Sequence, residues 1–375
     1  MVPTPKKENA AALNLIFIIG LVYVLYVLKP VLVPIIIAII LSVSAFPFVQ
    51  FLERKLRINR VISAIVAITL LSLVIFALLL FIGFQLSDIL EKGDFYAEKL
   101  SNVYNTFATK LETYLGIEKN ELSIKKLNIG ATIKNNFVGI IEFLTSSGSF
   151  FSDIILIPLY IFFFLIYRKF FKSFIYRAFS KDGNTLKAKT ILNKLYDVQQ
   201  NYLVGLFMVM GIVGVLNSIG LLILGIDNAI FFGFLAALLL LIPYIGIIIG
   251  SLLPAVVALA TKDSLWYPVG VMVIFAFIQF IEGNFITPKI TGSKVSINAF
   301  VAILSIILFS MLWGIAGMIV ALPVIASLKV VFDTIPELKP YGFLIGEPLD
   351  EYLRSGARIR LKNWKKIRKE KRIIN

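Results

Sequence analysis

The amino-acid sequence predicts an all-α, polytopic membrane helical bundle, and three observations carry that prediction. Of 375 residues, 59% are hydrophobic and only 16% are charged, whereas soluble domains carry about 25% charged residues. Apolar runs repeatedly reach the roughly 20 residues that take a helix through a hydrocarbon core about 30 Å thick. The net charge of +15 is also segregated. Arg54, Lys55, Arg57 and Arg60 form one basic loop. Arg168, Lys169, Lys172, Arg177, Lys181, Lys187, Lys189 and Lys194 form another, against Asp182 and Asp197 alone. Lys339–Asn375 holds 11 basic residues and 4 acids, while Ser87–Phe150 balances 7 lysines with 8 acids. That is the positive-inside asymmetry, with the balanced segment outside and the basic segments meeting anionic head groups.

Leu13–Leu28 and Val31–Leu52 are parted by Lys29-Pro30. One helix over both would overshoot the bilayer, so two spans, out and back, are expected to meet near Pro30. No small-residue cleavage pattern precedes the second run, so a cleaved signal is not expected. Val61–Leu86 is the clearest span and runs outward. Ser87–Glu142 is polar with apolar residues at helical spacing (Leu100, Val103, Phe107, Leu111, Leu115), which predicts two or three amphipathic helices outside the membrane. Capping the bundle and gating it fit that insert equally well.

Phe150–Tyr167 returns inward and ends in a Tyr-Arg-Lys anchor. Residues 173–201 read as an amphipathic helix on the inner surface, apolar at Ile191, Leu192 and Leu195. Tyr202–Leu224 crosses outward; its Gly205, Gly211, Gly214, Gly220 and the pair Asn217-Ser218 predict close helix packing. Ala229–Ala260 and Ile297–Phe332 are about 32 and 36 residues long, too long for one helix and short for two full spans. Two Pro/Gly-interrupted re-entrant hairpins, bracketing the run Trp266–Gln279, give about six full spans plus two hairpins. Three full spans in this region, eight in all, is the alternative. The hairpin arrangement places Lys289 and Lys294 inside. The resulting organisation is 1–86, N-terminal transmembrane helices; 87–149, the extracytoplasmic helical insert; 150–201, a transmembrane helix and basic cytoplasmic amphipathic helix; 202–333, a membrane core with broken helices or hairpins; and 334–375, a basic cytoplasmic tail.

The chain has no Cys and no His, which excludes disulfides, thiol nucleophiles, imidazole catalysis and the usual zinc sites. No P-loop pattern occurs, so ATP-driven pumping by this chain is not expected. An intramembrane enzyme lacks its usual residues, and no cofactor or metal is expected. The tail segment Arg358–Arg372 has a basic face with Ile359, Leu361, Trp364 and Ile367; it reads as a lipid-binding element and not as a nucleic-acid site, for which aromatic or motif support is missing.

Three blocks then stand out: PYIGIIIGSLLPAVVAL at 243–259, QFIEGNFITPKITGSKVSIN at 279–298 and WGIAGMIVALPV at 313–324. In order and setting they resemble the autoinducer-2 exporter family of membrane transporters, and the topology extends the resemblance over nearly the whole chain. The resemblance implies transport of a small solute or ion across a bacterial inner membrane without ATP hydrolysis. It implies export of autoinducer-2 or sodium or lithium/proton antiport, and a homo-oligomer, with a pentamer among the implied states. Asn298–Phe300 departs from the Leu-x-Pro of many members, which predicts a less rigid helix start there.

Within the middle block, Gln279 and Glu282 are three residues apart on one helical face. Gly283 and Pro288 are expected to break the helix and free backbone groups that lipid cannot satisfy. Secondary transporters build solute sites from such broken helices, so Gln279, Glu282, Asn284, Thr287 and Asn298 are the candidate solute or ion site. Its hinges would be Pro243, Gly246, Gly250, Pro254, Gly283, Pro288, Gly292, Gly314, Gly317 and Pro323. The competing reading has Glu282 capping a helix or pairing with Lys289 or Lys294 at the inner interface. Asp153 and Asp227 read as interface and turn residues. At the level of function, a secondary transporter competes with a non-transporting membrane scaffold, which would show neither ion dependence nor saturation.

Overall fold

A computed structural model describes residues 7–115, 149–179, 185–242, 245–291 and 297–347. Pro243, Gly292, Lys294, the second half of the insert and the tail from residue 348 onward lie outside the described residues. The described residues form helices without a strand; Ile297 and Gly346 make a single isolated bridge. Among the described residues, five helices are long and apolar enough to cross a membrane, or six if the bent pair at Tyr167 counts as one span. This is an all-α, multi-pass membrane bundle. It divides into two compact units, Met1–Lys169 with Leu203–Gly292, and Phe170–Tyr202 with Ser293–Asn375.

The first unit opens with α1 (Lys7–Val27), apolar on all sides, and α2 (Lys29–Lys55), separated by Leu28 alone. α3 (Arg60–Glu91) follows, then α4 (Gly93–Leu115) and α5 (Ser149–Ile166). α2, α3 and α5 pack together around Ala38, Val49, Ala64, Ala67, Ile161 and Leu165. Small side chains at the contact let the backbones approach where lipid offers no hydrophobic drive. Exposed Leu, Ile and Phe cover the rest of α1 and α3, as expected of helices solvated by hydrocarbon.

Three features differ from the sequence expectations. The segment expected to end as a surface helix near residue 201 runs straight on: α7 (Thr185–Ile223) is one 39-residue helix. No Gly or Pro occurs between Thr185 and Val204 to stop it. The first half of α7 and α6 (Arg168–Phe179) belong mainly to the second unit. Pro254 and Pro323 lie buried inside continuous helices and do not interrupt them, because a membrane bundle can re-satisfy the carbonyl each proline orphans. The helix through Gly283 and Pro288 also continues, as described below.

α8 (Ala229–Leu239) and α9 (Ile245–Thr261) form a hairpin. At 11 residues, α8 is about 16 Å long, too short to cross a core of about 30 Å. Both ends of the hairpin share one cluster: Ala229 and Phe231 from its start, and Ala258 and Ala260 from its end, pack with Ile89 of α3, Tyr96 of α4 and Ile226. The start of α8 and the end of α9 therefore lie at the same end of the hairpin. The approach at the tip requires glycine: a methyl on Gly246 would collide with the Leu239 carbonyl oxygen. α7 supports the hairpin through Gly214, which lies against Phe234 and Ala237, and through Ser218, against which Gly233 packs. Gly211 has open space around it. The first turn of the insert caps this arrangement. Asp88 accepts hydrogen bonds from Asn228 Nδ2 and Lys92 Nζ, both at 3.0 Å, and that bond holds the Lys92 ammonium above its ordinary pKa.

In the second unit, α12 (Ala299–Trp313) and α13 (Ile315–Thr334) form another hairpin, turning on Gly314 at φ 68°. Gly317 again permits the crossing, since a methyl there would collide with the Phe309 carbonyl. This hairpin is unequal. α13, at 20 residues, is about 30 Å long and could cross, whereas the 15-residue α12 reaches about 22 Å. Buried Gln199 on α7 donates through Nε2 to the Pro323 carbonyl and to Ser327 Oγ, both at 2.6 Å. A final short helix, α14 (Lys339–Ile345), packs on α13.

Candidate functional site

The site grows from α10 (Trp266–Ile281), whose apolar residues would end in an ordinary helix stop at Glu282-Gly283 if the expected break occurred. Instead a π turn, Glu282–Ile286, carries the chain into α11 (Thr287–Thr291). The Thr287 N–H donates to the Glu282 carbonyl, five residues back instead of four. The wider turn absorbs a residue while keeping the backbone bonded. Pro288, whose missing N–H is tolerated in a first turn, sits second in α11. Gly283 is exposed, with open space where a Cβ would be.

The π turn has a consequence for the side chains. In an α-helix, residues five apart are separated by about 140° around the axis; here Glu282 and Thr287 meet. Thr287 Oγ1 donates to Glu282 Oε1, and Gln279 Nε2 donates to Glu282 Oε2 at 2.5 Å. Each carboxylate oxygen thus accepts one hydrogen bond. No ion pair joins Glu282 to Lys289 among the described residues, so the interfacial-pair reading lacks its partner there. Asn284 stands apart: it is exposed and its Nδ2 donates to the Phe280 carbonyl at 2.8 Å.

Gln279 also lines a small cavity of about 10 Å³ with Asn217 of α7, Leu240 and Ile247 at the hairpin tip, and Phe275 and Ile278. That is room for about one water. Asn217 is 3% exposed and its Oδ1 has no hydrogen-bond partner among the described residues. The sequence pointed to packing at Asn217, and its helix does pack closely. The added finding is an open acceptor at the hairpin tip, beside the amide that leads to Glu282. A buried, unpaired amide in an apolar interior is costly, so its position beside a polar chain is informative.

Asn298 belongs to the second unit, where its amide is committed. Oδ1 accepts from the Val301 N–H at 2.8 Å as the N-cap of α12, and Nδ2 donates to the carbonyls of Leu344, Ile345 and Gly346. The helix start expected to be less rigid is therefore fixed by a side-chain cap. Of the hinge candidates, Gly246, Gly314 and Gly317 serve turns or crossings, and Gly250 meets Ala236 across the first hairpin. The residue that sequence reasoning missed in this unit is Gln199. The polar run Gln199-Gln200-Asn201 at the head of an apolar stretch was its signal. Nearby, an open cavity of about 300 Å³ is lined by Lys194, Asp197 and Asp333 together with Val198 and Val330. A cavity of about 520 Å³ in the first unit is apolar and lined by residues such as Phe81, Phe207 and Phe231.

Comparison with known proteins adds a family. A family model described as AI-2E family transporter matches residues 15–337. A provisionally named transport protein of Borreliella burgdorferi is 28% identical over 61% of this chain and 65% of its own length. The similarly named YrrI of Bacillus subtilis is 32% identical over 38% of this chain and 40% of its own, and YhhT of Escherichia coli K12 is 26% identical over 36% and 38%. The chain thus spans less than two thirds of the length of these curated relatives. None of the three names states a cargo.

Proposed function

Because the chain belongs to the AI-2E transporter family, we propose that it is a secondary transporter, not an enzyme. It exports a small polar solute such as autoinducer-2 by alternating access, coupled to a proton or sodium ion. The observation that carries this reading is the Gln279–Glu282–Thr287 chain, built on a π turn beside the tip of the α8–α9 hairpin. Amides and a hydroxyl there supply donors and acceptors for a polyhydroxylated solute, while the carboxylate supplies a charge that can bind or release a cation. Glu282 is the coupling residue in this reading, Gln279 and Thr287 position it, and Asn217 is the open acceptor. The hairpin is the element that moves, since α8 crosses nothing and its tip closes the cavity. In the same reading the chain is a homo-oligomer of a bacterial inner membrane with both termini cytoplasmic.

A carboxylate satisfied by two neutral donors, with no basic partner among the described residues, also fits a sodium or lithium/proton antiporter. One assay separates the readings. Proteoliposomes carrying wild type or Glu282→Gln are given a pH gradient, and autoinducer-2 flux and sodium-dependent proton movement are followed. Solute flux lost in the variant supports export. Proton movement without solute flux supports antiport. Equal activity in wild type and variant removes Glu282 from the mechanism, and no activity in either points to another solute or to a scaffold.

A further inference from the structure

The ends of two consecutive helices and of a third more than 100 residues further on (about 105 from Arg60 to Leu165) meet at one edge of the first unit. Glu53 lies in the last turn of α2, Arg60 opens α3, and Arg168 follows α5 after Tyr167. Arg168 Nη2 pairs with Glu53 Oε2 at 2.5 Å, and its guanidinium lies 4.7 Å from the centre of the Phe46 ring. Arg60 Nη2 donates to the Leu165 carbonyl at 3.0 Å, which caps the end of α5. One guanidinium is thus held by the Glu53 carboxylate and the other by a helix-end carbonyl. Arg60 Nε, Arg168 Nη1 and Glu53 Oε1 are buried without a further hydrogen-bond partner.

Charge at this edge is out of balance. Glu53 is the only acid against Arg54, Lys55, Arg57, Arg60, Arg168 and Lys169, so six positive charges less one negative leave +5. Arg54, Lys55, Arg57 and Lys169 are exposed, and none makes an ion pair among the described residues. Helix packing holds the cluster together despite that repulsion. The sequence shows two separate basic loops, whereas the fold joins the start of the second to the first. Exposed aromatic residues flank the joined cluster: Phe51 on α2, and Phe163, whose ring stacks on that of Tyr167.

We propose that the joined ends of α2, α3 and α5 form a binding site for the head group of an anionic phospholipid. Its phosphate is held by Arg54, Arg57 and Lys169, and the Glu53–Arg168–Arg60 cluster fixes the geometry beneath them. A clustered cationic rim calls for an anion. The exposed apolar residues running from it along α2, α3 and α5 call for an anion that carries acyl chains. Interfacial tyrosine at head-group level fits the same occupant. The inference does not depend on what the protein transports.

The test uses the full-length protein in detergent, titrated with phosphatidylglycerol, phosphatidylcholine or inorganic phosphate, with melting temperature and retained lipid by native mass spectrometry as readouts. Wild type is expected to retain phosphatidylglycerol and melt several degrees higher with it, and to respond to neither of the others. Arg54→Gln/Arg57→Gln/Lys169→Gln, all at exposed positions, should fold normally and lose more than half of that shift. Lys172→Gln/Lys189→Gln/Lys339→Gln, which removes the same charge elsewhere, should keep it. Equal responses to the two lipids, a shift reproduced by inorganic phosphate, or equal losses in the two triple variants would each overturn the site.

Discussion

At the scale of single residues, Glu282 is the centre of the proposed mechanism and its two donors set what substitution should do. Glu282→Gln keeps shape but removes the charge, so coupled flux should fall roughly tenfold or more, about 1.4 kcal/mol in the rate-limiting barrier, with little change in melting temperature. Thr287→Val leaves Oε1 short of a donor and should cost about 1–3 kcal/mol of stability, read by thermal denaturation. Asn217 predicts the opposite pattern. Its Oδ1 is buried and unpaired, so Asn217→Leu should raise stability by about 1 kcal/mol while lowering flux, a trade of function for stability expected where a polar group is held open for a ligand. If both stability and flux rose, Asn217 would be a packing residue alone.

At the scale of elements, glycines that look alike in sequence separate by what surrounds them. Gly246→Ala would place a methyl against the Leu239 carbonyl, and the forced shift should cost about 1–3 kcal/mol; Gly317→Ala should behave alike at the second hairpin. Gly283→Ala, in open space, should be neutral or stabilise by about 0.5–1 kcal/mol, and a large destabilisation there would contradict the π turn. These contrasts also show what could be read from the sequence. The end of α8 at Leu239 and the turn at Gly314 are legible because each falls inside an apolar run too long for one helix. The meeting of Glu282 with Thr287 was not, since Gly283 and Pro288 signal a break in sequence terms and only backbone geometry distinguishes a break from a π turn. The Gln279–Glu282 pair followed from helical spacing. Asn298 joins the candidate site on its polarity, yet its Oδ1 caps α12 and its Nδ2 donates to three distant carbonyls; the cap is a local pattern, while partners 46 to 48 residues away leave none to read.

At the scale of the whole molecule, the choice between six spans with two hairpins and eight spans becomes a question about one short turn. Residues Lys262–Leu265 join α9 to α10, and Asp263 is exposed within it. If residues 229–261 crossed the membrane, Asp227 and Asp263 would face opposite sides. If they form a re-entrant hairpin, both face outward with α4, and α10 then carries Lys289 to the cytoplasmic side. The clustering of Ala229, Ala258, Ala260, Ile89 and Tyr96 at one end favours the hairpin, as does the length of α8. The chain has no cysteine, so a single introduced thiol reports its side without background. In right-side-out membranes, Asp227→Cys, Asp263→Cys and Asn105→Cys should react with a membrane-impermeant maleimide, while Arg57→Cys and Lys289→Cys should react only after the membrane is opened. Protection of Asp263→Cys together with exposure of Lys289→Cys would convert the hairpin to a full crossing. The element proposed to move would then have to be α10 itself, which carries Glu282 at its end, and the carboxylate would travel with the moving part instead of facing it.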